Sequence, residues 1–249
     1  MDPYERCCVR LPLDGACNVR ELGGYPTTND GHTRFRRFLR SDGLSLLTPR
    51  DEKLLHDYGV RAVIDLREPH EASADPDRTI GTDVAFVNVP LFDYNVADAK
   101  RGTAELDFSN MSLGALYCEI LGNYEAVRSC FRFIASVGDG CVLFHCAAGK
   151  DRTGVLSMLL LSLAGVDKWD IVADYVQSRP NLMRSGYYAE QWEDASLQAW
   201  RSMLDSPAEA IESAYDYIID VHGGVENYLL ACGVPDEDVA AVRRRLVDE

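Results

Sequence analysis

The sequence is short of positive charge: Lys plus Arg number 25 against 40 Asp plus Glu, a formal net charge of −15 over 249 residues. Nucleic-acid binding is dominated by basic side chains that neutralise phosphates, so this deficit argues against nonspecific binding to DNA or RNA. It also opposes adhesion to an anionic membrane unless a local basic patch intervenes. Long apolar runs are lacking as well. The longest, near Val155 to Val166, is broken by Ser157, Ser162 and Gly165 and is shorter than the roughly 20 residues that cross a bilayer. No stable membrane insertion is expected. The first residues, Met-Asp-Pro-Tyr-Glu-Arg, are acidic early and lead into no apolar stretch of signal-peptide length, so a cytoplasmic location is expected. The 8 cysteines include no C-x-x-C pair, which removes the usual zinc pattern and suits a reducing compartment. Internal repeats, low-complexity tracts and Ser/Gly/Pro-rich linkers are absent too, and one domain over residues 1–249 is the expectation.

What is present suffices for a full core. Hydrophobic residues make up 47% and charged residues 26%, which excludes intrinsic disorder for most of the chain. Pro49 to Tyr58 reads as a helix stopped by Gly59, and Val60 to Leu66 as a short buried strand. Val84 to Pro90 is a second β-rich run and Cys141 to Cys146 a third. A strongly periodic helix is expected over about Leu113 to Val137, and another from Thr153. Strands alternating with helices predict an α/β fold with a mostly parallel central sheet flanked by helices. Val225 to Glu249 reads as two short helices around Gly233-Val234-Pro235, the second opened by Asp236, Glu237 and Asp238 and closed by Arg243 to Arg245. The stretch from Asn181 to Gly223 carries Tyr187, Tyr188, Trp192, Trp200, Tyr215 and Tyr217. It reads as ordinary core, with a helical insertion or lid as the alternative.

The chemistry concentrates in His145-Cys146-Ala147-Ala148-Gly149-Lys150-Asp151-Arg152-Thr153-Gly154, between a buried strand and a long apolar helix. A loop from a strand to a helix N-terminus gathers backbone N–H groups around one point and suits an anion. The same positive end, with Arg152 close by, favours a thiolate at Cys146, the form that attacks. Arg152 offers a planar fork for two oxygens of a phosphoryl group. Small Ala147 and Ala148 and flexible Gly149 let the backbone close in on that group. Thr153 places a hydroxyl near the sulfur, and Lys150, directed to the pocket mouth, would meet a second phosphate.

This stretch resembles the H-C-x5-R-[ST] signature of the cysteine-dependent protein tyrosine phosphatase superfamily, and HCAAGKDRTG is similar to a bacterial branch of atypical tyrosine and phosphoinositide phosphatases. Asn18 to Tyr25 (NVRELGGY) resembles that branch's N-x-R-D-L-G-G element, with Glu21 where Asp is usual. Arg40-Ser41-Asp42, Asp65-Leu66-Arg67 and Asp174-Tyr175 follow in the family's order, so the resemblance covers most of the chain. Two segments, about 94–110 and 184–221, diverge from it. The resemblance implies a tyrosine-phosphatase-like fold and an Asp at position 151 as general acid. Asp93 is the alternative acid, in the region where the wider superfamily carries one on a mobile loop. Asp98 and Asp107 lack an anchor beside them.

The expectation is thus a metal-independent phosphomonoester hydrolase with Cys146 as nucleophile, Arg152 as oxygen clamp and Asp151 as acid, and with no cofactor. Its partner would be a phosphorylated protein or a phosphoinositide. A noncatalytic phosphate-binding module and an arsenate reductase or sulfurtransferase are the rivals. Beside the site, His145 is expected to brace the loop, Gly23-Gly24 to turn against it, and Asp65 and Arg67 to pair. The basic cluster Arg34, Arg36, Arg37 and Arg40 reads as a solvated strand face or, alternatively, a phospholipid contact. Cys7 with Cys8, or Cys141 with Cys146, are candidate reversible disulfides.

Overall fold

The structure, a computed structural model, describes residues 9–92, 112–193 and 205–247. Its sheet contains β1 (Arg20–Glu21), β2 (Phe38–Ser41), β3 (Val60–Asp65), β4 (Ala85–Asn88) and β5 (Cys141–His145), in the order β1-β2-β5-β3-β4. β1 pairs antiparallel with β2, and the other pairings are parallel. β2, β3 and β5 are buried almost throughout, as strands covered on both faces must be. Alternation divides them between two cores. Ala62, Ile64, Val142 and Phe144 face the larger one, whereas Val63, Cys141 and Leu143 join Leu55 on the other side.

Helix α1 (Pro49–Tyr58) is opened by a capping box of Thr48 and Asp51 and closed by Gly59 at φ 107°, a left-handed turn that glycine adopts at no steric cost. It packs on the smaller core and is followed by β3 and the short α2 (Pro69–Ala74). The larger core takes α3 (Leu113–Gly122), α4 (Tyr124–Ser136), α5 (Asp151–Leu163), α6 (Lys168–Val176), α9 (Ala208–His222), α10 (Val225–Ala231) and α11 (Asp236–Leu246). Between α6 and α9 lie α7 (Ser178–Leu182) and α8 (Gly186–Glu193). Helix α5 is buried nearly all round, the state of a helix enclosed by other elements rather than lying on a surface. No described helix is long and apolar enough to cross a membrane.

Three expected elements are corrected. The single helix over 113–137 is two, because Asn123 caps both: it ends α3, and its side chain accepts from the Ala126 amide at the start of α4. Apolar periodicity continues across that break, so the pattern alone conceals it. Helix α5 starts at Asp151, two residues before Thr153. The run at 84–90 shortens to β4, an edge strand whose Ala85 and Phe86 are exposed. Tyr215 and Tyr217 pack half-buried against the core, as the core reading of their segment expects.

In the parallel register Ser41 and Asp65 both flank His145. The carboxyl ends of β2, β3 and β5 therefore finish side by side, the position at which open α/β sheets hold their ligands.

Candidate active site

Residues 146–150 link β5 to α5 and form the floor of the site. Every carbonyl along this loop has a polar partner, and those of residues 147–149 are held by distant parts of the chain. Cys146 O lies 3.2 Å from His145 Nδ1, and Ala147 O accepts from the Gly43 amide at 2.9 Å. Asn18 Nδ2 donates to Ala148 O and Gly149 O, both at 3.0 Å. Arg40 Nη2 donates to Gly149 O at 2.8 Å, and Lys150 O accepts from the Gly154 amide. In a trans peptide the N–H points opposite the preceding carbonyl. Carbonyls drawn outward therefore turn the amides of residues 147–151 inward, where none has an acceptor among the described residues. Such a cup of amides at a helix N-terminus is built for an anion. Gly149 is required by this approach: it sits at φ 65°, and a Cβ there would lie 2.4 Å from Ser41 O.

Cys146 is 2% exposed at the base of the loop. Arg152 lies in the first turn of α5. Burial opposes its charge, but the Glu71 carboxylate, then the neighbouring Cys146 and Asp151, hold its pKa above the ordinary guanidinium range. Glu71, in α2, receives both Nη1 and Nη2 of Arg152, the latter at 3.0 Å. Burial raises the Glu71 pKa and Arg152 outweighs it, so this carboxylate is held below its usual range. A guanidinium gripped end-on by Nη1 and Nη2 keeps its Nε–Nη2 edge for a second planar acceptor. Nothing in the local sequence marks Glu71, which is 81 residues from Arg152.

Asp151 Oδ1 accepts from Tyr117 Oη at 2.6 Å and lies 2.9 Å from Lys150 Nζ. Tyr117 is fully buried on α3 and its hydroxyl lies 2.6 Å from Tyr175 Oη. Burial first, then Asp151, pushes the Tyr117 pKa well up, so it stays a neutral donor. With Oδ1 occupied by two partners, Oδ2 is the oxygen left to act. Lys150 does not reach a pocket mouth: its side chain is 3% exposed and Nζ donates to Asp205 O at 2.6 Å. Thr153 is fully buried, with Oγ1 lacking a partner among the described residues.

Beneath the loop lies a charged lattice. Asp174 on α6 accepts from Arg20 Nε at 2.9 Å and from Arg40 Nη1, and all three are buried. Burial resists ionisation of Asp174, but Arg20 and Arg40 together keep its pKa below the usual carboxylate range. Arg20 also donates to Asn18 Oδ1, orienting the amide that holds the loop carbonyls. Asp42 accepts from the amides of Cys17 and Asn18, each at 3.0 Å.

On the other flank His145 Nε2 lies 2.9 Å from Asp77 Oδ2, and its Nδ1 faces Cys146 O of the loop. Burial raises the Asp77 pKa, but His145 and then Arg67 hold it below the usual range. Asp65 and Arg67 form the expected pair, at 2.9 and 2.8 Å. The ligand atoms of Asp65, Asp77 and His145 cluster within 4.8 Å of one another. Arg67 Nη2, at 2.8 Å from each carboxylate, already supplies the cation between them.

Several remaining expectations change. Gly23 and Gly24 turn against Phe35 rather than the loop; Asn18 and Arg20 of the same element do the bracing. The arginine cluster is not one face, for Arg40 is buried beneath the loop, Arg36 stacks on Tyr58 and Arg34 bonds Arg244 O. Cys141 and Cys146 are both free and stand at opposite ends of a strand, which at ~3.3 Å per residue separates them by about 16 Å, beyond disulfide reach. Asp93, Asp98, Asp107, Cys7, Cys8 and Trp200 lie outside the described residues, as do 94–110 and part of 184–221.

Comparison with known proteins adds relatives to this geometry. A family model described as "Tyrosine phosphatase family" matches residues 11–248. A "Tyrosine-protein phosphatase" of Nostoc commune is 34% identical over 226 residues, covering 84% of this chain and 74% of that protein. The "Triple specificity protein phosphatase PtpB" of Mycobacterium tuberculosis is 25% identical over 270 residues, covering 93% and 96%. Among solved structures, P. aeruginosa TpbA in complex with pTyr is 16% identical, with a TM-score of 0.43 and coverage of 94% of this chain and 99% of that one.

Proposed function

The chain belongs to the tyrosine phosphatase family, and from that premise we propose that it hydrolyses phosphotyrosine in protein substrates through a cysteinyl-phosphate intermediate. The observation that carries the reading is the loop whose carbonyls at 147–149 are drawn outward by Gly43, Asn18 and Arg40, leaving its amides and Arg152 for one anion beside Cys146.

In the first step the Cys146 thiolate attacks phosphorus, forming the S–P bond as the P–O bond to the tyrosyl oxygen breaks. The free edge of Arg152 and the loop amides bind the equatorial oxygens and follow their charge through the transition state. Asp151 delivers its proton to the departing phenolic oxygen. In the second step Asp151 takes a proton from water, the water oxygen attacks phosphorus and the S–P bond breaks, restoring the thiolate and releasing inorganic phosphate. Thr153 Oγ1, buried and without a partner among the described residues, bonds the returning sulfur. Positive charge at phosphorus comes from Arg152 and the backbone, so the step calls on no metal. Lys150, the cation expected to meet a second phosphate, is engaged instead by Asp151 and the Asp205 carbonyl, which removes that support for a phosphoinositide.

Phosphate release with a chelator present, from a phosphotyrosine peptide, a phosphoserine peptide and a panel of phosphoinositides, tests the substrate class. The phosphotyrosine peptide is expected to lead, and a leading phosphoinositide would overturn the choice. Arsenate and thiosulfate assays address the remaining enzymatic rivals.

Replacing Asp151 by Asn should slow phenyl phosphate turnover by about 100-fold or more, the usual contribution of a placed acid. It should slow p-nitrophenyl phosphate, whose leaving group needs no proton, far less in its first step. Equal losses in pre-steady-state phenol release would move the acid to Asp93. Glu71→Ala should release Arg152 from its end-on grip and cost about 10- to 100-fold in kcat/KM, as misplacement of a catalytic group by about 1 Å does. Glu71→Gln, which keeps one acceptor, should recover part of that loss, whereas equal effects from both would remove Glu71 from the positioning role.

A further inference from the structure

We infer that the groove opening on the loop at Ala147 receives the chain flanking the phosphotyrosine, and that Arg10 and Arg184 on its walls select acidic side chains there; this rests on the phosphotyrosine reading above. The groove has a volume of about 980 Å³, at the upper end of the roughly 300–1,000 Å³ of small-molecule sites. A phosphoryl group, or one phosphotyrosyl ring, would leave most of it empty. A peptide of several residues would fill it. Tyr188 joins the groove to the reacting centre, its hydroxyl donating to Ala147 O at 3.4 Å.

The charges along the groove are not equally available. Arg50 is spent on Asp14 at 2.7 Å. Asp42 is turned to the amides of Cys17 and Asn18, and Asp75 accepts from Ser45 Oγ at 2.8 Å. Among the described residues Arg10 Nη1 donates to the neighbouring Leu11 carbonyl alone, at 3.4 Å, and Arg184 is exposed. Neither has a carboxylate partner among the described residues, in a chain of net charge −15. Asp42 and Asp75 share the groove with their oxygens turned to neutral donors, so the anionic complement is local to Arg10 and Arg184, the two groove arginines without a carboxylate partner among the described residues. Leu46, 77% exposed on the same groove, adds an aliphatic surface that suits a peptide side chain. The net negative charge of the whole chain disfavours the surface of an anionic membrane as the occupant.

The test uses three phosphotyrosine peptides that differ only in flanking residues, glutamate, glutamine or lysine. Their binding is measured by fluorescence anisotropy to the full chain carrying Cys146→Ser, and their turnover by the enzyme with Cys146 intact. The acidic peptide is expected to bind about fivefold tighter than the neutral one, the scale of two exposed ion pairs, and the margin should shrink with added salt. Arg10→Gln with Arg184→Gln should bring the ratio to about one, and Arg184→Glu should turn the preference towards lysine. An acidic preference that survives the double substitution, or none in the starting protein, would overturn the inference. So would an effect of the substitutions confined to a soluble inositol bisphosphate. Flank-dependent binding without Cys146-dependent turnover would retain the subsite and reject the catalytic reading.

Discussion

Cys146→Ser is expected to lower kcat on a phosphotyrosine peptide by about 10⁵-fold or more, the order seen when an enzyme loses its nucleophile. Serine keeps the size of the side chain and the loop carbonyls keep their scaffold donors, so the amide cup and the Arg152 edge remain in place. Substrate affinity should therefore persist within a few fold while chemistry stops. Paired calorimetric binding and phosphate-release measurements separate the two. Retained turnover under chelator would remove Cys146 from the chemistry, and lost binding would mean that the thiolate itself holds the loop open.

Asp174→Asn should be the most damaging change outside the loop. It leaves Arg20 and Arg40, both 0% exposed, facing each other without a compensating charge. Breaking a buried pair costs about 3–5 kcal/mol, which for a protein of this size lowers Tm by roughly 6–20 °C. Activity should fall beyond what unfolding explains, because Arg40 also holds Gly149 O and Arg20 orients Asn18. A stability loss below about 1 kcal/mol in denaturant titration would contradict the account. The pH dependence has a definite sign. The folded pKa of Asp174 lies below its ordinary value of 3.8, so its stabilisation is present above that value and is lost as the pH falls through it toward the folded pKa. The Asn variant should lack this part of the acid sensitivity.

The strand, loop and helix around Cys146 were legible because each is a local event: a short apolar run, a glycine-bearing loop, and an apolar helix that begins at charged residues. The same holds for α1 and its glycine stop. What escaped the sequence is pairing at a distance. Arg40 sits in a run of arginines that looks like a basic surface, yet its partner Asp174 is 134 residues away and draws it inside. Lys150 has no acidic neighbour beyond Asp151 to suggest burial, and its second tie is to a backbone carbonyl at residue 205. Asn123 interrupts a helix without disturbing the apolar period, since the break is a side-chain cap rather than a change of face. Glu71 is one acid among many in an acidic chain. Its selection depends on α2 ending beside the loop, which only the sheet order decides.

The central claim is that phosphate passes through sulfur, and trapping that species tests it most directly. Asp151→Asn enzyme should be mixed rapidly with p-nitrophenyl phosphate, denatured at neutral pH and digested for mass analysis. Bond cleavage proceeds without the acid, whereas hydrolysis lacks its base, so the peptide bearing Cys146 should carry one phosphoryl group. Release of p-nitrophenol with Cys146 unmodified, or a phosphoryl group on another residue, would contradict the account.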